Sequence, residues 1–344
     1  MQAVAGAGCA ARGARMSEAS GGVWVLADPR AGTAAQALGI AERLGLPFRT
    51  IPLEWGPLAR LPLPWPSLVG LTAVARRGML EVARGSGWPS LVISAGRRAA
   101  PVARWLRRRA AHTVHCMRPG MAAGDFDLLV IGRHDNPPDA SNILPVLGAT
   151  HRVSPAALER ARMEWAALAE LPGPRVALLL GGTVRGKGMD PAEAVALADR
   201  VLPWAGSVLA TTSRRTGEAA GMVLAARLEG VPGMVHRWGA AGPNPYLGLL
   251  ATADAVVVTG DSVSMVSEAL ATAAPVFIAG APPDAPRHRA LHAALVAAGQ
   301  AAPLDAFPHA PVRSPLDESG RVAAEIRARF PGVFRDAEGA SLGA

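Results

Sequence analysis

The run VTGDSVSMVSEA, Val258 to Ala269, concentrates the side chains best suited to holding an anion. An apolar strand enters at Gly260, and Asp261, Ser262, Val263 and Ser264 open a helix. Free N–H groups at the positive end of a helix attract phosphate, and Ser262 or Ser264 can add hydrogen bonds to it. Glu268 lies about one turn deeper, where a carboxylate can accept two hydrogen bonds from a ribose diol. The alternative is a plain capped helix with an exposed glutamate.

Two more polar loops follow apolar strands nearby in sequence. Gly181-Gly182-Thr183 follows RVALLL, and paired glycines either expose their N–H groups to a ligand or simply make a tight turn. Ser213, Arg214 and Arg215 follow SVLATT, forming either an anion site at a helix start or a cap with solvated arginines. Ligands of open α/β sheets bind beyond the carboxyl ends of the strands, so three polar loops converging on one edge mark a binding site.

Strand ends earlier in the chain carry a second, less uniform set. Asp28 ends GVWVLAD as a catalytic carboxylate or a turn cap. Gly96 and Arg97 end SLVISAG, and Arg97 either faces a ligand or begins a basic helix. Arg133-His134-Asp135-Asn136 follows FDLLVIG; a histidine beside a carboxylate can act as a general base, or it can be structural. The eight histidines make no helical zinc pattern with a glutamate, so neither a metal nor a cofactor is expected. GxGxxG is missing after Asp28, which argues against an NAD enzyme.

Short apolar strands alternate with helices throughout, as in parallel sheets covered on both faces. The strands read as Gly22 to Asp28, Phe48 to Leu53, SLVISA, HTVHC and FDLLVIG, and after LPGP (171–174) as RVALLLGG, SVLATTS, MVHRW, DAVVVTG and PVFIAG. Between them, helices are expected near Ala34 to Leu44, Thr72 to Arg84, Ala99 to Arg109 and Pro191 to Leu202, among others. Another follows Ser154-Pro155, an N-cap and first helical residue of favoured types. The fold class is α/β, with two doubly wound Rossmann-like domains facing across a cleft. The expected divisions are 1–20, disordered or preceding a true start at Met16; 21–170, a first α/β domain; 175–312, a second α/β domain; and 313–344, a terminal helix returning to the first domain, then a tail.

Composition sets outer limits. The chain has 344 residues, half of them apolar, and a net charge of +8 carried by arginine, with Lys187 the single lysine. That charge reflects either GC-rich bacterial codon usage or attraction to an anionic lipid or phosphorylated ligand. Nucleic acid is not an expected partner, because zinc-finger spacing, an aromatic RNA-binding signature and a basic tail are all missing. Cys9 and Cys116 form no metal or redox pair, and residues 1–20 lack the apolar core of a secretory signal. A cytoplasmic location is expected. A peripheral one on the inner face of the plasma membrane is the alternative, because the Trp/Leu/Pro-rich stretch 55–71 and a basic helix over 97–109 can either lie on an anionic leaflet or pack on the sheet.

SMVSEALATAAPVFIAG resembles the donor-side element of GT-B glycosyltransferases, including the lipid-linked N-acetylglucosamine transferase of peptidoglycan synthesis. The resemblance puts Glu268 at the ribose and Pro275 at the start of the last strand. TTSRRT, GPNPYLGLLATADAVVVTGDSVSMVSEA and GRHD resemble the elongated-mitochondria (mitochondrial fission) family from about Val23 to Ile278. Of that family's opening motif, Gly32 and Gln36 are present, while the acidic position between them is missing. The resemblance implies a glycosyltransferase using a nucleotide-sugar donor and an unknown, cell-envelope or lipid-linked acceptor. Gly181, Gly182, Thr183, Ser213, Arg214, Arg215, Asn244, Asp261, Ser262, Ser264 and Glu268 would form the donor side. Gly32, Gln36, Gly96 and Arg97 would form the acceptor side, and His134, Asp135 or Asp28 would be catalytic. In plants the family is linked to recruiting a dynamin-related protein to mitochondria, so the alternative is a non-catalytic adaptor with a protein partner.

Overall fold

The computed structural model describes residues 22–61, 65–110, 112–182, 188–280, 285–310 and 312–335. Thr183 and the segment 1–20 lie outside them. The first half builds one sheet from β1 (Val23–Ala27), β2 (Phe48–Pro52), β3 (Leu91–Ala95), β4 (His112–Cys116), β5 (Leu128–Gly132) and β6 (Ile143–Val146), in the order β2-β1-β3-β4-β5-β6. The second builds another from β7 (Arg175–Leu180), β8 (Ser207–Thr212), β9 (Gly233–His236), β10 (Ala255–Thr259), β11 (Val276–Ala279) and β12 (Ala302–Pro303), in the order β12-β11-β10-β7-β8-β9. Every strand pair is parallel. Counted from β7, the second order is that of the Rossmann fold.

The order reverses between β1 and β3 in the first sheet and between β7 and β10 in the second. The crevice of an open sheet opens at such a reversal. The polar loops after β1, β3, β7 and β10 are therefore gathered by topology at two switch points. The sequence pattern missed β6 and β12. Both are sheet-edge strands containing proline, Pro145 and Pro303, and so read as irregular chain.

Helices cover both faces. On the first sheet lie α1 (Ala31–Leu44), α2 (Ala73–Ser86) and α3 (Ala100–Arg107), and α4 (Pro155–Glu164) and α5 (Ala166–Ala169) lead to the second half. There follow α6 (Pro191–Val201), α7 (Glu218–Arg227), α8 (Tyr246–Thr252), α9 (Val263–Ala269), α10 (Pro286–Ala297) and α11 (Glu318–Arg329). α1 begins at Ala31, earlier than periodicity implied. Asp28 Oδ1 accepts from Arg30 N at 2.9 Å, a local turn that starts the helix at once and places Gly32 in its first turn.

The basic helix expected over 97–109 is shorter. Its Trp105 packs against Trp88 (5.8 Å between centroids) under the Arg109 guanidinium, 3.6 Å from the Trp105 ring. Arg104 and Arg107 pair with Asp125 and Asp127. α3 thus covers the sheet, with Arg104 and Arg107 neutralised by their partners. No helix among the described residues is long and apolar enough to cross a membrane.

α11 returns to the first half, where Val322, Ala323, Ile326 and Phe330 join Val25, Ile40 and Val114 in one core. Its first turn is fastened by polar contacts. Asp317 pairs with Arg43, Glu318 accepts from Leu147 N, and Ser319 Oγ accepts from His151 N. The segment 147–151, where the chain leaves the first sheet, is thereby fixed.

Ile326 is fully buried between α1 and this sheet. Replacing it with alanine should cost roughly 2–5 kcal/mol by loss of contacts and creation of a cavity, read from urea denaturation. A loss below about 1 kcal/mol would mean that α11 is not part of the first core.

Candidate active site

At the second switch point one carboxylate organises the loops. Asp261 accepts from Gly182 N (2.8 Å) and Thr259 Oγ1 (2.7 Å), and it pairs with Arg215 (3.1 Å). Thr259 Oγ1 also accepts from Gly181 N at 2.7 Å. The glycines are obligatory for contact reasons. A Cβ on Gly181 would lie 2.3 Å from Asp261 Oδ1, and one on Gly182, whose φ is +156°, would lie 1.9 Å from the Arg215 carbonyl oxygen. Both N–H groups expected to meet a diphosphate are taken up in this structure by Thr259 and Asp261. Arg215 and Asp261 are likewise spent on each other.

Ser213 Oγ is engaged with Thr216 and accepts from Arg215 N, shaping the turn before α7. Arg214 beside it is exposed and makes no hydrogen bond or ion pair among the described residues. Asn244 accepts from Tyr246 N and so caps the approach to α8.

α9 carries the groups that remain open. Ser262 caps it, its Oγ accepting from Met265 N. The Ser264 hydroxyl makes no hydrogen bond among the described residues, and a Cβ on Gly32 would lie 2.8 Å from its oxygen. One turn on, Ser267 Oγ accepts from Ala149 N at 2.9 Å, and a Cβ on Gly148 would meet it at 2.8 Å. Two serines of one helix thus face the first half, each opposite a glycine. α1 comes to this junction with no side-chain cap and no acidic residue in its first turn, so its N–H groups face it with positive polarity.

Glu268, one turn of α9 beyond Ser264, is half-buried and accepts from the hydroxyl of Tyr246 at 2.7 Å. Burial pushes its carboxyl up to about 7, only partly offset by that hydrogen bond. Burial and the neighbouring carboxylate together raise the Tyr246 hydroxyl well above its ordinary value. Tyr246 is the single tyrosine of the chain and lies inside the quoted GPNPYLG run, but its type alone carried no sign of this partnership.

The first half contributes less than its sequence promised. Asp28 is buried. Its oxygens accept from Arg30 N and Nε and from Trp55 Nε1 at 2.9–3.0 Å, and burial is outweighed by these partners so that its carboxyl sits below the ordinary value. In this structure it anchors the turn before α1 and the Trp55 side chain. Asp135 is also taken: Arg287 of α10 grips both its oxygens at 2.5 and 2.6 Å, joining the halves. Asp135 therefore does not orient His134. Burial lowers the His134 ring below its ordinary value and holds it neutral near pH 7, and its Nδ1 is buried without a partner.

Gly96 packs against the first turn of α1, where a Cβ would lie 2.9 Å from Thr33 Cγ2 and 3.6 Å from an Arg30 nitrogen. Gln36 lies deeper in α1, its carbonyl accepting from Thr150. Arg97 is exposed at a separate pocket beyond β3 and does not join the α1–α9 junction.

A profile of the Mitochondrial fission ELM1 family matches residues 31–330. The Mitochondrial fission protein ELM1 of Arabidopsis thaliana is 31% identical over 248 residues, covering 62% of this chain and 58% of that protein. Uncharacterized protein RP120 of Rickettsia prowazekii is 32% identical over 116 residues, covering 33% of this chain and 32% of that protein. The chain therefore spans less than two thirds of the length of the curated relatives it matches. The UDP-GlcNAc 2-epimerase of Methanocaldococcus jannaschii superposes with a TM-score of 0.52 at 14% identity, over 89% of this chain and 98% of that one. That likeness is one of fold: two Rossmann-like units face each other, as in GT-B proteins.

Asp261→Ala should destabilise the protein by roughly 3–5 kcal/mol, because it leaves Arg215 and two buried loop donors without their acceptor. Chemical denaturation reads this, and a change within about 0.5 kcal/mol would remove Asp261 from its organising role. Glu268 makes a pH prediction. Its folded value, about 7, lies above its ordinary 4.5, so its contribution is complete below 4.5 and is lost as pH rises through 7. Wild type should therefore lose stability relative to Glu268→Gln across that window. A difference independent of pH would show that the carboxyl is not desolvated.

Proposed function

The chain belongs to the mitochondrial fission ELM1 family, and from its α1–α9 junction we propose that it is a GT-B-type glycosyltransferase using a nucleotide-sugar donor. The observation that carries this reading is the placement of Glu268. It is a half-buried carboxyl fixed by Tyr246, one turn of α9 beyond an open serine hydroxyl that faces the uncapped start of α1. A ribose diol donates two hydrogen bonds, and a desolvated carboxylate is a strong acceptor for them. The fold adds support, since the epimerase that shares it is named for a nucleotide-sugar, UDP-GlcNAc.

In this reading the diphosphate lies beside the Ser264–Gly32 contact, at the edge of the first turn of α1, with the exposed Arg214 as the cation of the donor side. Glu268 takes the ribose. The acceptor hydroxyl approaches from the first half, past Gly32 and Gly96. Neutral His134 is the proton acceptor on that side, because burial has removed its charge while Asp28 and Asp135 are occupied. The acceptor oxygen bonds to the anomeric carbon and gives its proton to His134. The bond from that carbon to the diphosphate breaks, and the nucleoside diphosphate leaves with the electron pair. Arg214, the Ser264 hydroxyl and the N–H groups of α1 offset the charge that develops on it.

A second reading has one observation in its favour. Both first-half carboxylates expected to be catalytic are engaged in structural contacts, which suits a non-catalytic member that recruits a protein partner.

Isothermal titration with UDP, GDP, ADP and CMP separates the two. The transferase reading expects one nucleotide to bind, with Glu268→Ala weakening it by roughly 1–3 kcal/mol and Arg214→Ala by a similar amount. No binding of any nucleotide would favour the adaptor.

A further inference from the structure

The basicity of the chain is not spread evenly. Residues 57–109 hold ten arginines against a single acid, Glu81, a local charge of +9 when the whole chain carries +8. Uniform codon bias does not segregate charge in this way. The remainder of the chain is close to neutral.

The same stretch holds a concentration of exposed apolar side chains. Of the ten large apolar residues exposed among the described residues, five lie between 58 and 74: Leu58, Leu61, Trp65, Val69 and Val74. Val74 lies in the first turn of α2, and the first four belong to an excursion between β2 and α2. Its ends are closed by Gly56 N donating to Gly70 O and by an antiparallel bridge between Trp55 and Leu71. The excursion is thus anchored at its base, where Trp55 also donates to buried Asp28, while its outer side chains meet solvent.

Beneath it lies a cavity of about 370 Å³ at the carboxyl ends of β3 and β4. Its walls mix apolar groups, Trp55, Leu61 and Met121, with Arg60, Arg97 and Arg98. These three arginines are exposed and make no hydrogen bond or ion pair among the described residues, unlike Arg104 and Arg107 on the following helix. Arg76 and Arg77 on α2 are exposed and unpaired in the same way. Exposed apolar groups around unneutralised guanidinium groups fit a partner that is apolar below an anionic surface.

We propose that this face docks on an anionic lipid bilayer: Leu61 and Trp65 enter the interface, and a headgroup phosphate is held in the cavity by Arg60, Arg97 and Arg98. A planar guanidinium pairs two-pronged with phosphate oxygens, and a tryptophan at the interface places its ring at headgroup depth. The docking uses no group of the donor side, so it stands or falls apart from nucleotide transfer.

Flotation of the full chain tests it, with vesicles of phosphatidylcholine alone and of phosphatidylcholine mixed with phosphatidylglycerol. Binding should occur only with the mixed vesicles and should be released by salt. The double substitution Arg97→Ala, Arg98→Ala should weaken partitioning about 25-fold at low salt, roughly fivefold for each arginine. Leu61→Ser with Trp65→Ser should weaken it independently of salt. All four positions are exposed, so melting temperatures should stay at the wild-type value and report an intact fold. Three outcomes would overturn the proposal: no flotation with either vesicle, equal flotation with both, or no effect of the arginine substitutions. A melting-temperature rise with inorganic pyrophosphate that needs Arg97 and Arg98, without flotation, would also overturn it and assign the cavity to a soluble anion. Nucleotide titration of the same wild-type preparation shows separately whether the donor site is present.

Discussion

Asp261 holds three loops of the second sheet at once, and the geometry of the junction depends on it. Its carboxylate receives the amide of Gly182 from the loop after β7, the hydroxyl of Thr259 at the end of β10 and the guanidinium of Arg215 from the loop after β8. A nearly buried carboxylate persists at a sheet edge only when its oxygens are satisfied. Once satisfied, it fixes the direction in which the chain enters α9. Gly181 and Gly182 follow from this constraint, because any side chain there would collide with the carboxylate or with the loop it holds.

The direction of α9 decides how the halves meet. Ser264 and Ser267 lie one turn apart and pack their side chains on the bare backbones of Gly32 and Gly148, so the halves come close at two points. Other contacts brace the same seam: Asp135 with Arg287, and the first turn of α11 with segment 147–151. The seam is close-packed at the two serine–glycine contacts and polar where it opens toward Glu268. A half-buried glutamate with its carboxyl raised to about 7 is poised between charge states, and a ligand that donates hydrogen bonds to it would favour the ionised form. Nucleotide binding and proton release at this position would therefore be coupled.

Much of the architecture could be read from the residues. Apolar runs gave the central strands, and turn chemistry gave helix starts such as Ser154-Pro155 and Ser262. The edge strands β6 and β12 escaped because proline obscures their pattern. The position of the polar loops at strand ends was also legible, since sheet topology alone gathers them. What each polar side chain does there was not. Gly182 and Asp261 read as two ligand-binding groups, yet each satisfies the other. His134 and Asp135 read as a pair, yet Asp135 turns to Arg287, which is 152 residues away in sequence. Neighbours in sequence say which groups share an edge. Partners distant in sequence decide which remain free, and no local pattern encodes them.

The central claim is that the α1–α9 junction is a nucleotide diphosphate site, and a crystal structure with the tightest-binding nucleoside diphosphate tests it most directly. The account predicts the diphosphate beside the Ser264–Gly32 contact, within hydrogen-bond distance of the Ser264 hydroxyl, with both ribose hydroxyls within hydrogen-bond distance of Glu268. A nucleotide bound elsewhere, with the Glu268–Tyr246 pair untouched, would contradict it.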